Sequence, residues 1–175
     1  MTEFLSEENI ELHREYMRKC ALRYSILEKS ISGIKDKRTN EILLMKLSKA
    51  EQRDILALLP ELELHRLYFE SFDKQKNSMS ACVRAQFGSE AAFLNTIYRC
   101  ASQLEYGFVT VNIQSGKIEC ITVRNFVECF THGAPVLAID ICEHAYFRDY
   151  GFDKHSYLVN ALSYLKLNAI DKILK

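Results

Sequence analysis

Ser6 is followed by Glu7 and Glu8, and then Ile10, His13, Met17, Ala21, Tyr24, Leu27 and Ile31 recur at spacings of three and four. That spacing lays one stripe along an amphipathic helix and predicts a helix from Ser6 to Ser32. Ser6 and the two carboxylates suit its N-terminus, and Gly33 suits its C-terminal stop. Lys35 to Asn40 are polar and read as a hairpin loop. A second helical region runs from Glu41 to Phe72. Within it Pro60 lacks an amide hydrogen and clashes with the preceding turn, which predicts a break or kink. Beyond Pro60, Leu64, Tyr68, Phe69 and Phe72 share a face with His65. The two long segments predict an antiparallel helical hairpin. The polar stretch Asp73 to Ser80 marks the expected boundary between a helical hairpin domain, residues 1–76, and a C-terminal domain, residues 77–175.

Helices resume over Met79 to Phe87 and Ser89 to Leu104, separated by Gly88 and Ser89, with Ser89 as N-cap. The period then changes from helix to strand. Gly107 to Ile113 is rich in β-branched and aromatic residues, Gln114-Ser115-Gly116 is a turn, and Lys117 to Val123 alternates again, which is a β-hairpin. Pro135 to Asp140 is a third, apolar strand, and from Glu143 to Lys175 the pattern returns to helix. The predicted class is α+β: an N-terminal antiparallel helical hairpin plus a C-terminal domain of helices around a three-stranded antiparallel sheet.

Composition changes this picture little. Six glycines and two prolines in 175 residues agree with long helices and disfavour a turn-rich all-β fold. Hydrophobic residues at 48% and charged residues at 26% exclude a disordered chain. Lys plus Arg and Asp plus Glu are both 23, so global charge offers nucleic acid no attraction and no nucleic-acid partner is expected. No apolar run approaches the roughly 18 residues that span a bilayer, so no membrane partner is expected. The acidic start, Met1 to Glu8, lacks the basic and apolar regions of a signal peptide, which predicts a cytoplasmic, reduced protein. Cys20, Cys82, Cys100, Cys120, Cys129 and Cys142 form no C-x-x-C pair and no zinc-finger spacing with His. They are expected to be free, mostly as small buried apolar residues.

Candidate chemistry rests on four residues. His13 and His65 lie on the apolar faces of the two hairpin helices, Asp140 ends an apolar strand, and His144 follows four residues later. Taken singly, each His reads either as a satisfied core histidine or as a ligand, and Asp140 reads either as a helix cap or as a buried acid that needs a partner. Taken together, three imidazoles and a carboxylate suit a redox metal such as iron or manganese, or zinc. Spacing alone reaches a mononuclear metal site and no further. His132 and His155 read as a loop residue and a helix-start residue.

The segment Asp140-Ile141-Cys142-Glu143-His144-Ala145-Tyr146-Phe147-Arg148-Asp149-Tyr150-Gly151 resembles the D-x-W-E-H-A-Y-Y-x-D-Y signature of the iron/manganese superoxide dismutases. Ile10-Glu11-Leu12-His13 resembles that family's first-helix ligand segment, and His65-Arg66-Leu67-Tyr68-Phe69 its second, H-x-x-[FY]-[FW]. Phe87-Gly88-Ser89 and Gly107-Phe108-Val109 fall where the family has an F-G-S junction and a G-W strand start. The resemblance covers nearly the whole chain and implies that the family's extended N-terminal segment is missing from it. It also implies that His13, His65, Asp140 and His144 hold one iron or manganese ion per subunit, with superoxide as substrate. Glu143 matches the glutamate that reaches a partner subunit's ligand histidine, which implies a homodimer.

Several positions depart from the pattern. A second histidine four residues after the first ligand and a tyrosine eight residues after it are replaced by Met17 and Ala21. The signature's second tyrosine is Phe147 and its tryptophan is Cys142. The glutamine that touches metal-bound solvent is replaced by Glu61 at one family position and by Asn125 or Phe126 at the other. Glu61 reads either as a solvated residue in the first turn after Pro60 or as an ionised group beside the metal that accepts but does not donate. Glu61 and Glu143 are therefore the candidate catalytic residues. The expected function is an iron- or manganese-dependent superoxide dismutase. The alternative is a metal-binding relative with weak, different or no activity, and a third reading is a non-catalytic interaction module on the same fold.

Overall fold

The structure is a computed structural model that describes residues 4–31, 41, 45–75, 79–124 and 131–174. Helix α1 spans Glu7–Ser30, and the Ser6 hydroxyl accepts the Asn9 amide at its N-cap. Its buried line runs through Ile10, His13 and Cys20, while Ala21 is exposed, so the apolar stripe passes one residue ahead of its expected place in the fourth turn. The helix ends at Ser30, two residues before the expected Ser32; Ser32, the Gly33 stop and the Lys35–Asn40 loop lie outside the described residues.

Helix α2 spans Lys49–Glu70 and begins with a capping box, in which Ser48 and Glu51 each satisfy the other's backbone amide. It therefore starts well after Glu41, and residues 42–44 lie outside the described residues. Pro60 sits inside this helix and does not break it. Proline removes the one helical bond that the Leu56 carbonyl would accept. Burial of Ile55, Leu58, Pro60 and Leu64 along the same helix outweighs that loss. His13 meets His65 and Tyr16 meets Glu61, so position rises along α1 as it falls along α2, and the pair is an antiparallel hairpin. The hairpin's far end has a small core of its own, Ile31 and Ile55 with Tyr24, Met45, Leu47 and Leu59.

Helix α3 (Ala81–Phe87) is capped by Ser80, and α4 (Glu90–Ser102) by Ser89. Strands β1 (Phe108–Gln114) and β2 (Lys117–Val123) form a hairpin whose connecting Ser115 and Gly116 have φ of 50° and 77°. Two consecutive positive φ values match the right-handed twist of a tight hairpin. Strand β3 (Ala134–Asp140) pairs antiparallel on the other side of β1, giving the order β2-β1-β3. The last part of the chain is helical in pieces and not continuous. A 3-10 turn (Glu143–Ala145) leads to α5 (Phe147–Tyr150), α6 (Lys154–Ser163) and α7 (Asn168–Ile173), with Gly151 at φ 54° after α5. Among the described residues, no helix is long and apolar enough to cross a membrane, and Cys20, Cys100, Cys120 and Cys142 are free, while Cys129 lies outside them.

Ser71 docks the hairpin onto the sheet. Its buried hydroxyl donates to the Leu67 carbonyl at 2.7 Å and accepts the Ala138 amide at 2.8 Å, while its carbonyl accepts the Lys166 amide at 2.8 Å. The end of α2 is thereby tied to β3 two residues before Asp140. Asp171 ties the C-terminal helix to α3, accepting the Ser80 hydroxyl at 2.7 Å, the Cys82 amide at 3.0 Å and the Ala81 amide at 3.1 Å. Desolvation alone would raise its pKa, but the Cys82, Ser80 and Ala81 donors outweigh it and hold the carboxyl at about 2.

Ser71→Ala is expected to lower unfolding free energy by about 1–3 kcal/mol in urea melts, because the buried Ala138 amide loses its acceptor. The Asp171 contribution is complete above the ordinary carboxylate pKa and disappears as pH falls through about 2. Stability measured from pH 5 down to 2 should therefore converge between wild type and Asp171→Asn. A constant gap across that range would show that the carboxylate's charge contributes nothing.

Candidate metal centre

Each of four side chains is delivered by a different element. His13 lies in the second turn of α1 and His65 near the end of α2. Asp140 is the last residue of β3, paired with Phe108 of the central strand, and the Tyr157 hydroxyl donates to its carbonyl at 2.8 Å. His144 stands on the 3-10 turn that follows. The Cys142 amide donates to Asp140 Oδ1 at 2.8 Å and folds that turn back on the carboxylate. The N-terminal end of α1 grips this turn and the helix after it: Asn9 Nδ2 donates to the Ala145 carbonyl at 2.6 Å, and the Ser6 amide and hydroxyl donate to Asp149 of α5 at 2.7 and 2.6 Å. Gly107 permits the close passage beside it. A Cβ there would lie 2.2 Å from the Val123 carbonyl oxygen, while the Gly107 carbonyl accepts the Ile141 amide at 2.8 Å.

The donor atoms of His13, His65, Asp140 and His144 all lie within 4.8 Å of one another. Asp140 Oδ2 is 3.1 Å from His13 Nε2, 3.4 Å from His65 Nε2 and 2.9 Å from His144 Nε2, and the last two nitrogens are 3.2 Å apart. His65 Nδ1 lies 2.7 Å from the Glu61 carbonyl oxygen, which can only accept, so Nδ1 carries the hydrogen and neutral His65 turns a lone pair inward. Both ring nitrogens of His13 lack a hydrogen-bond partner although the residue is fully buried, and Nε2 meets Asp140 Oδ2 at 3.1 Å as a charge contact. A proton serves one such pair at a time, whereas one cation serves all four donors. Bonds of about 2.0–2.2 Å to imidazole and carboxylate place neighbouring donors about 3 Å apart, which matches the spacings here. The residues present thus fit a metal ion bound by three nitrogens and one oxygen.

Three of the four donors are buried, and His144 is 29% exposed, so the group opens to solvent on the His144 side. Rings wall the closed sides: Tyr68 and Phe69 lie against His13 at 4.9 and 5.0 Å, and Phe108 meets His65 edge-on at 5.1 Å. Burial lowers the pKa of His13, outweighing the pull of Asp140. Burial also opposes charge on His65, but Asp140 and Glu61 outweigh it and raise its pKa. For Asp140 burial favours the neutral acid, yet contact with His13, His144 and His65 holds the carboxyl well below its usual range. The site therefore contains a permanent carboxylate and at least one imidazole kept neutral, which is the protonation a metal needs of its ligands.

Glu61 is not a solvated first-turn residue. Because α2 continues through Pro60, Glu61 is mid-helix, half-buried, and faces α1. Glu143 is exposed and outside the donor group. Cys142 is half-buried, its sulfur 3.3 Å from the Gly107 amide, and burial pushes its thiol pKa up. Met17 is half-buried, and Ala21 and Phe147 are exposed. Asn125 and Phe126 lie outside the described residues. His132 and His155 are exposed and outside the donor group; His155 starts α6, its ring 2.7 Å from the Tyr98 hydroxyl.

Sequence reasoning passed over Tyr16. Its ring stacks on His144 with centroids 4.3 Å apart and planes 22° from parallel, and its hydroxyl donates to Glu61 Oε1 at 2.5 Å. Burial and the Glu61 carboxylate both push its pKa up. The signal was present in the helical spacing, since Tyr16 and Cys20 follow His13 by three and seven residues.

Residues 68–173, more than half of the chain, match the family model described as iron/manganese superoxide dismutases, C-terminal domain. That stretch includes Asp140 and His144, whereas His13 and His65 precede it and join them through the fold. Relatives named Mn/Fe superoxide dismutase 2 from Staphylococcus aureus strains bovine RF122 and Mu50 are each 25% identical over 114 residues. The aligned stretch is 62% of this chain and 57% of each relative, so the chain spans little more than half the length of the relatives it matches.

Titration with cobalt(II), followed by its visible absorption, is expected to saturate at one ion per chain. His13→Ala is expected to abolish that signal, and Leu12→Ala, on the exposed side of α1, to leave it intact. Equal binding by the His13 variant would place the metal elsewhere.

Proposed function

The chain belongs to the iron/manganese superoxide dismutases, and from that membership we propose that it binds one iron or manganese ion per subunit and converts superoxide to oxygen and hydrogen peroxide. The observation that carries this reading is the convergence of His13, His65, Asp140 and His144 from four separate elements, with His13 left without a hydrogen-bond partner. Such an ion, held by His13, His65, Asp140 and His144, would supply the one-electron redox chemistry that dismutation requires. The chain's own residues do the rest. His13, His65 and His144 would each offer a ring nitrogen to the ion, and Asp140 would lower its charge. The Glu61 carbonyl fixes the tautomer of His65, and the Cys142 amide occupies the outer oxygen of Asp140, leaving Oδ2 for the centre. Tyr68, Phe69 and Phe108 keep water from the closed sides, so a small anion enters from the side of His144.

We take residues 1–76 and 77–175 as the two domains that share this site. The exposed Glu143, next to the partly exposed His144, supports a homodimer in which Glu143 meets the equivalent histidine of a second copy.

A second reading, a metal-binding relative with weak, different or no dismutase activity, is favoured by the surroundings of the site. Ala21 and Phe147 carry no polar group, and Cys142 gives a smaller wall than a tryptophan. An ionised Glu61 beside the centre also repels an anionic substrate.

Protein loaded with manganese(II) or iron(II) is expected to accelerate superoxide decay above an equal concentration of free ion, and His65→Ala to return the rate to that background. One bound ion per chain with no acceleration decides for the second reading.

A further inference from the structure

Tyr16 touches the donor group at two points. Its ring covers His144, the one donor side chain that reaches solvent, at 4.3 Å and 22°. Its hydroxyl donates to Glu61 Oε1 at 2.5 Å, and the backbone carbonyl of that same Glu61 accepts His65 Nδ1 at 2.7 Å. One side chain of α1 therefore bears on a histidine from the 3-10 turn and, through Glu61, on a histidine from α2. His144 needs such support. Its Nε2 faces Asp140 and His65, and its side chain is 29% exposed, the least enclosed of the four donors. The Tyr16 ring stacked on it restrains the plane of the imidazole without competing for its nitrogens. The Tyr16–Glu61 bond crosses from α1 to α2 one turn from the His13–His65 contact, so it also sets the spacing of the two helices at the site.

We propose that Tyr16 is a positioning residue of the metal centre, holding His144 by ring stacking and His65 through Glu61, and thereby setting how long the ion is retained. This rests on the metal-site reading above and not on dismutation. The experiment follows release of manganese(II) to excess EDTA, together with the visible spectrum of the cobalt(II)-loaded protein. Tyr16→Leu, which removes both contacts, is expected to speed release about 10–100-fold and to change the cobalt(II) bands, since groups that orient ligands are typically worth that much in affinity. Tyr16→Phe keeps the ring and should give a smaller acceleration. Glu61→Leu should match Tyr16→Phe, and the double variant should release no faster than the faster single, because both remove one bond. Glu61→Gln retains an acceptor oxygen and should restore slow release.

If Tyr16→Leu fails to fold, the Tyr16→Phe and Glu61→Leu cycle decides alone. Wild-type release rates and cobalt(II) bands in these variants overturn the proposal, as do fully additive effects, which would mean that the two residues act separately. Wild-type protein that retains neither ion overturns the metal site itself and this inference with it. Slow release without superoxide decay overturns only the dismutase reading.

Discussion

A carboxylate with no exposure to water stands at the end of a strand, and much of the structure serves to make that tolerable. Burying the charge of Asp140 alone is prohibitive. The chain answers with three imidazoles around one of its oxygens and a backbone amide on the other. Those imidazoles are themselves crowded, with their Nε2 atoms turned toward the same carboxylate oxygen. The arrangement is electrostatically complete only with positive charge at its middle, and a metal ion meets that demand for all four groups at once. The buried tyrosines Tyr68 and Tyr157 and the packing of Phe108 then supply the apolar wall that keeps the interaction strong.

The fold can be understood as the means of bringing these groups together. An antiparallel hairpin puts an early residue of one helix beside a late residue of the next, and so His13 beside His65. The central strand fixes the level of Asp140 through its pairing with Phe108. Ser71 fastens hairpin to sheet just below the carboxylate, Asn9 fastens α1 to the turn that carries His144, and Ser6 fastens it to α5 just beyond. Around the local bonds made by the donors themselves, those from Ser71, Asn9 and Ser6 join distant parts of the chain and help to hold the donor set at spacings of about 3 Å.

Features fixed by local chemistry were legible in the sequence. The caps at Ser6 and Ser89, the hairpin around Ser115-Gly116 and the apolar strand ending at Asp140 each depend on neighbours within a few residues, and the structure has them. The four donors were legible because each lies at a patterned position and because their order resembled a known family. Pro60 misled because its penalty is local while the packing that offsets it, through Ile55, Leu58 and Leu64, is not. The same error placed Glu61 in a first turn and hid its approach to α1. Tyr16 was missed because the stripe was traced through Met17 and Ala21, when the buried line passes through Cys20. A helix does not repeat in whole residues, and the choice between adjacent positions in each turn is made by the partner helix.

The grip of α1 on the turn around His144 joins residues more than a hundred positions apart, and this bears on how the protein is built in time. Contacts of such separation pay their loop-closure entropy before they return any stability, and they form late. His13 and His65 can approach each other as soon as the hairpin closes, but that leaves two imidazoles without their carboxylate. Only when the three-stranded sheet has assembled and its last strand has turned back toward α1 does the cage acquire its charge and its fourth side. A donor set split in this way is complete only after the two halves of the chain have met in the correct register.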